Sequence, residues 1–133
     1  MNVRSFNVEE ENEMKDIVKI LKLDDKEYPV VFNLNVMQVI QEEYGSLDAW
    51  GDLTEAKKEG DKLSKEPDAK AVIFGFKEMI NEGIDIRNEQ EGRSDPFLSE
   101  RQVGRIITQY GLAKAVALQN QTVIESSQST EKN

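Results

Sequence analysis

The stretch YPVVFNLNVMQVIQEEYGSL, Tyr28 to Leu47, constrains this chain more than any other, because a strand and a helix must share its twenty residues. Tyr28 to Phe32 is apolar, β-branched and aromatic, and Pro29 confines such a strand to an edge or the outer arm of a hairpin. A helix then starts almost at once. Asn35 with Gln38 three residues later has the spacing of a reciprocal cap, and Gly45 supplies the stop. At 100° per residue, Val36, Val39, Ile40 and Tyr44 share one face with Met37 at its rim, while Gln38, Gln41 and Glu42 point away. This is a scaffold pattern, with no catalytic signature.

The chain upstream is ambiguous in period. Met14, Ile17, Val18 and Leu21 recur at helical spacing, yet Val18 with Ile20, and Leu21 with Leu23, alternate as in a strand. Asp24, Asp25 and Lys26 are turn residues directly before the Tyr28 run, so a hairpin of Ile17 to Leu23 with Glu27 to Phe32 is preferred and a helix remains the alternative. Residues 1–15 carry Glu9, Glu10, Glu11 and Glu13, a like-charge run expected to stay solvated and flexible.

Downstream, Ser46 caps a short helix bearing Leu47, Trp50 and Leu53. The charged segment Glu55 to Glu66, interrupted by Gly60, reads as a solvated helix end or linker. Asp68 caps a helix over Ala69 to Glu82 that stops at Gly83, with a stripe of Ala69, Val72, Ile73, Phe76, Met79 and Ile80. Asn88 to Asp95 is a polar loop. Ser99 and Gln102 again have capping-box spacing, ahead of Val103, Ile106, Ile107 and Tyr110 and a stop at Gly111. A last helix runs from Leu112 to about Ile124, with Leu112, Ala115, Val116 and Val123 on one face and Gln119 inside it. Residues 126–133 are expected to form a disordered tail. The fold class is therefore α+β and mostly α-helical: an N-terminal β-hairpin followed by about four to five short helices, in one domain over residues 16–125.

Composition removes whole classes of function. The 133 residues include neither cysteine nor histidine, which excludes disulfides, thiolate and histidine catalysis and the usual zinc sites. A net charge of −9 opposes a phosphate backbone, so nucleic acid is not an expected partner. No apolar run approaches the roughly 18 residues of a membrane span, and MNVRSFNVEEENEM lacks the basic and apolar parts of a signal peptide. The expected compartment is the cytoplasm.

Close carboxylate pairs are the remaining catalytic option: Asp24 with Asp25, Glu42 with Glu43, and Asp48 with Asp52. None sits in a pocket signature, and calcium-loop, P-loop and dinucleotide motifs are missing. The chain is therefore expected to be non-enzymatic, with no catalytic, cofactor-binding or metal-binding residues. Four apolar residues stand out as candidate partner contacts. Phe74 points away from its helix's stripe, Leu118 and Ile124 fall outside theirs, and Trp50, the sole tryptophan, is either the edge of a small core or an interface anchor.

The order of these segments, YPVVFNLNVMQVIQEEYGSLDAW, a charged linker, DAKAVIFGFKEMINEG and SERQVGRIITQYG, resembles the tail assembly chaperones of long-tailed bacteriophages and prophages over roughly residues 16 to 125. The resemblance implies a chaperone whose many copies bind the long, aggregation-prone tape measure protein until tail tube subunits displace them. It implies the bacterial host cytoplasm as location, absence from the mature virion, and room for a homo-oligomer. In many such phages a minus-one frameshift near the end of the frame adds a domain that recruits the tube protein, and Glu131, Lys132 and Asn133 are compatible with an A-rich slippery run. The alternatives are a structural head-tail connector or completion protein, and a host regulatory adaptor.

Overall fold

The computed structural model describes residues 18–131. The expected acidic flexible segment 1–15 lies outside them. Two strands, β1 (Val18–Leu23) and β2 (Lys26–Val31), form an antiparallel hairpin, so the hairpin alternative holds for the described part of the ambiguous segment. Asp24 takes φ 56° in the two-residue connection, a left-handed conformation that aspartate tolerates better than most side chains. The register pairs Leu21 with Tyr28 and Lys19 with Val30, which places Leu21 and Val30 together on the face that enters the core. Val18 and Ile20 alternate to the other face and are exposed.

Helix α1 (Leu34–Tyr44) follows after two residues. Its cap is Asn33, not Asn35: Asn33 is extended and its side chain accepts from the Val36 N–H at 3.2 Å. Asn35 instead lies in the first turn, and both asparagines donate to the same Glu82 oxygen, at 2.7 Å and 3.0 Å. Glu82, 47 residues away from Asn35, thus ties both asparagines to the central helix while only Asn33 caps α1. Asn33→Ala is expected to lose about 1–2 kcal/mol, because a cap and a charge-assisted bond go together, while Asn35→Ala loses well under about 1 kcal/mol. Chemical denaturation of the two variants measures the difference; a larger loss at Asn35 than at Asn33 would return the cap to Asn35.

Helix α2 (Leu47–Thr54) is capped by Ser46 as expected, its hydroxyl accepting from Ala49 N at 3.0 Å. The segment after it is not a plain linker. It forms a second hairpin, β3 (Lys57–Glu59) with β4 (Lys62–Lys65), turning at Gly60 with φ 64°. No apolar alternation announces these strands, which are almost wholly exposed. What anchors them is Lys65, whose ammonium donates to the Asp52 and Glu55 carbonyls at the end of α2, where a cation complements the helix dipole.

Helix α3 (Ala69–Glu91) is the central element. Asp68 caps it, but it passes through Gly83 and ends only at Gly92, which is left-handed. Gly83 serves close approach instead of termination. A Cβ there would sit 2.8 Å from Pro29 Cβ and 2.9 Å from its Cγ, so its absence lets β2 lie directly on α3. Val72, Phe76, Met79 and Ile80 of the expected stripe are buried, Ile73 is half-buried and Ala69 is exposed.

Helix α4 (Glu100–Tyr110) opens with the full Ser99–Gln102 capping box and buries Val103, Ile106 and Ile107. Gly111 separates it from α5 (Leu112–Glu131). The last helix therefore outruns the sequence expectation of a disordered 126–133; residues 132–133 lie outside the described residues. Gln121 donates to Glu125 one turn on, at 2.5 Å, and Lys19 of β1 grips the same carboxylate at 2.7 Å. These contacts carry the helix past Ile124 and hold the Glu125 carboxyl below its ordinary range, first through the Gln121 hydrogen bond and then through Lys19. The whole is α+β and mostly helical, a hairpin followed by five helices with a second, peripheral hairpin among the described residues.

Candidate partner-binding surface

The four residues singled out by sequence do not form one surface. Trp50 is 1% exposed, and its indole Nε1–H donates to the Ala71 carbonyl at 3.0 Å. It belongs to the core, so a partner cannot touch it while α2 stays docked. Phe74 is half-buried and meets the Tyr44 ring edge-on at 5.5 Å, which places it beneath a neighbouring helix, with Lys77 held 5.5 Å over its ring. Burial raises the Tyr44 hydroxyl's pKa, and the carboxylates of Glu43, Asp68 and Glu100 raise it further. Leu118 is half-buried against the core, and Ile124 is 50% exposed.

Helix α5 presents the expected face, with Ala115 and Gln119 buried and Val116 and Val123 half-buried, and departs from it only at Leu112 and Leu118. Leu112 is exposed, while Ala115, Gln119 and Thr122 are buried. Gln119 Nε2 donates to the Val72 carbonyl at 3.1 Å, and its Oε1 finds no partner among the described residues. Gly75 provides the room, since a Cβ on it would come within 3.0 Å of both Gln119 and the Trp50 ring. Thr122 returns its hydroxyl to the Leu118 carbonyl at 2.7 Å. The polar residue inside this helix's face is thus a core residue.

A more open feature lies across the molecule, where α1, α3 and the start of α4 border a groove of about 460 Å³. Val36, Val39 and Leu98 give it apolar lining, and Glu78, Glu82, Asp85 and Glu100 stand around it with Lys77 as the one cation. Lys77 is already shared between Glu78 and Glu100, each at 3.6 Å. Phe97 also lines the groove and is 57% exposed.

The segment carrying Phe97 is strapped to α3 by two asparagines seven residues apart. Asn88 donates to the Asp95 carbonyl at 3.0 Å and accepts from the Asp95 N–H at 3.1 Å. Asn81 does the same for Leu98, at 3.0 Å and 2.8 Å. Asp95 is held again by Arg87 at 3.5 Å and Arg93 at 2.6 Å. The polar loop expected over Asn88 to Asp95 starts instead at Gly92, since Asn88–Glu91 close α3, and nothing in the spacing marks Phe97. The usable signal was an aromatic after Pro96 beside two asparagines on one helix face.

Among the described residues no group of acidic side chains is arranged to hold a metal ion, and no helix is long and apolar enough to cross a membrane. The fold and surface define a small, mostly helical domain with a largely acidic groove that carries the apolar side chains Val36, Val39, Phe97 and Leu98. Comparison with protein-family models, curated proteins and solved structures finds no match.

Proposed function

We propose that this chain is a non-enzymatic chaperone of phage tail assembly, acting in the bacterial cytoplasm on the tape measure protein and released when tail tube subunits take its place. The observation that carries this reading is an open groove, apolar at Val36, Val39, Phe97 and Leu98 within a largely acidic lining, on a chain of net charge −9. Apolar area supplies affinity for an amphipathic client helix, and like charge between copies keeps loaded chaperones from aggregating. The segment order that resembles tail assembly chaperones supplies the identity of the client.

Co-expression with the tape measure protein of the same genome tests it. The client is expected to become soluble and to co-purify with this chain, and the chain to be missing from purified virions. A client that stays insoluble, with this chain found in finished particles, would move the assignment to a structural connector or completion protein.

A further inference from the structure

Phe97 is an unusual thing for a soluble protein to hold still. Four hydrogen bonds from two asparagine side chains fix the backbone at Asp95 and Leu98, on either side of it. Two arginines then hold the Asp95 carboxylate. The ring gains little burial in return, since it is 57% exposed. Leu34, the most exposed large apolar side chain among the described residues at 73%, directly precedes Asn35, which lines the groove. Its neighbours Asn33 and Asn35 are both tied to Glu82, so it too sits on fixed backbone. Rigid apolar groups in front of a groove lose little entropy on binding, which is what makes an anchor effective.

We propose that the Phe97 strap and the groove between α1 and α3 are a docking site for a cationic amphipathic helix of a partner protein. The apolar ridge of that helix packs on Phe97, Val39 and Leu98, and its Lys or Arg residues face the acidic rim. Charge decides the occupant. Lys77 neutralises part of Glu78 and Glu100, and Asn33 and Asn35 satisfy one oxygen of Glu82, but Asp85 makes no ion pair or side-chain hydrogen bond with another described residue. Arg87 and Arg93 are already committed to Asp95. A second copy of this acidic chain would bring more carboxylates to the same rim, whereas a basic helix brings the missing cations. The site rests on the chaperone assignment only for the name of its client.

The test uses the full chain and a labelled helical peptide with a leucine ridge flanked by lysines, followed by fluorescence anisotropy. Phe97→Ser is expected to weaken binding by about tenfold or more, and Asp85→Lys by a similar factor. Leu63→Ser, an exposed apolar site on the second hairpin, leaves it unchanged. Raising salt from about 0.1 M to about 1 M shortens the screening length from about 10 Å to about 3 Å and weakens the native protein more than Asp85→Lys. Unchanged melting of Phe97→Ser confirms that the ring holds no part of the fold.

Equal binding by native and Phe97→Ser protein, or equal binding of a glutamate-flanked peptide, overturns the site. A native dimer that Phe97→Ser dissociates, with no peptide bound, overturns it in favour of self-association. If the peptide docks as described while the tape measure protein remains insoluble on co-expression, the site stands and the chaperone assignment falls.

Discussion

Trp50→Ala lowers the melting temperature by more than about 10 °C, because emptying a fully buried tryptophan site removes about 3–5 kcal/mol from a domain of this size. The ring is enclosed by Ala71, Gly75 and Gln119 on α3 and α5, and it joins three helices that have no covalent staple, the chain having no cysteine. Part of the loss is polar. Trp50→Phe keeps most of the apolar volume but deletes the bond to the Ala71 carbonyl, and is expected to cost about 1–2 kcal/mol. Thermal melts of the pair measure both terms, and circular dichroism distinguishes a destabilised fold from an unfolded one. If Trp50→Ala melted like the native chain while losing a binding partner, the indole would be an interface anchor after all and the position of α2 would be wrong.

The parts of the fold legible in the sequence are those whose cause is local. Ser46, Asp68 and the Ser99–Gln102 pair satisfy N–H groups three residues away, and Gly45 and Gly111 sit where a helix has run out of apolar periodicity. The errors fall where a distant residue arbitrates. The cap expected at Asn35 is Asn33 instead, and both side chains reach Glu82 on α3, 49 and 47 residues away. Gly83 had the local look of a stop, but Pro29 needs the space a side chain would fill. Lys65 holds a hairpin onto the end of α2 that no strand pattern revealed.

The same division governs the candidate surface. Helical spacing placed Leu118 and Ile124 outside their stripe; Ile124 is exposed, whereas Leu118 packs half-buried against the core. Spacing placed Gln119 inside the buried face, where it lies, but could not show its bond to the Val72 carbonyl, which depends on how α5 packs on α3. Nor could it show that Phe97 would be held outward, since the restraint comes from Asn81 and Asn88 reaching backbone 17 and 7 residues further along the chain. An exposed aromatic is informative only once its backbone is known to be fixed.

Gly75→Ala is the smallest substitution expected to have a large effect, and its sign is opposite to what helix propensity alone gives. In an exposed helix interior, replacing glycine by alanine gains about 1 kcal/mol. At position 75 the added methyl would lie within 3.0 Å of Trp50 Cζ2, 2.6 Å from Gln119 Nε2 and 3.1 Å from Trp50 Cε2. Neither neighbour can yield freely. The indole is held by its bond to Ala71, and moving the Gln119 amide breaks its bond to Val72. Overpacking of this kind costs about 1–3 kcal/mol before the lost hydrogen bonds are counted, so the net change is a destabilisation of about 1–3 kcal/mol. Trp50→Phe should relieve part of it by shortening the ring that collides, so the double variant is expected to lose less than the two single losses added together. Denaturant midpoints for the four proteins of that cycle measure the coupling. Additive losses would mean that Trp50 and Gly75 do not touch, and a stabilised Gly75→Ala would mean that α5 does not cross α3 at this point.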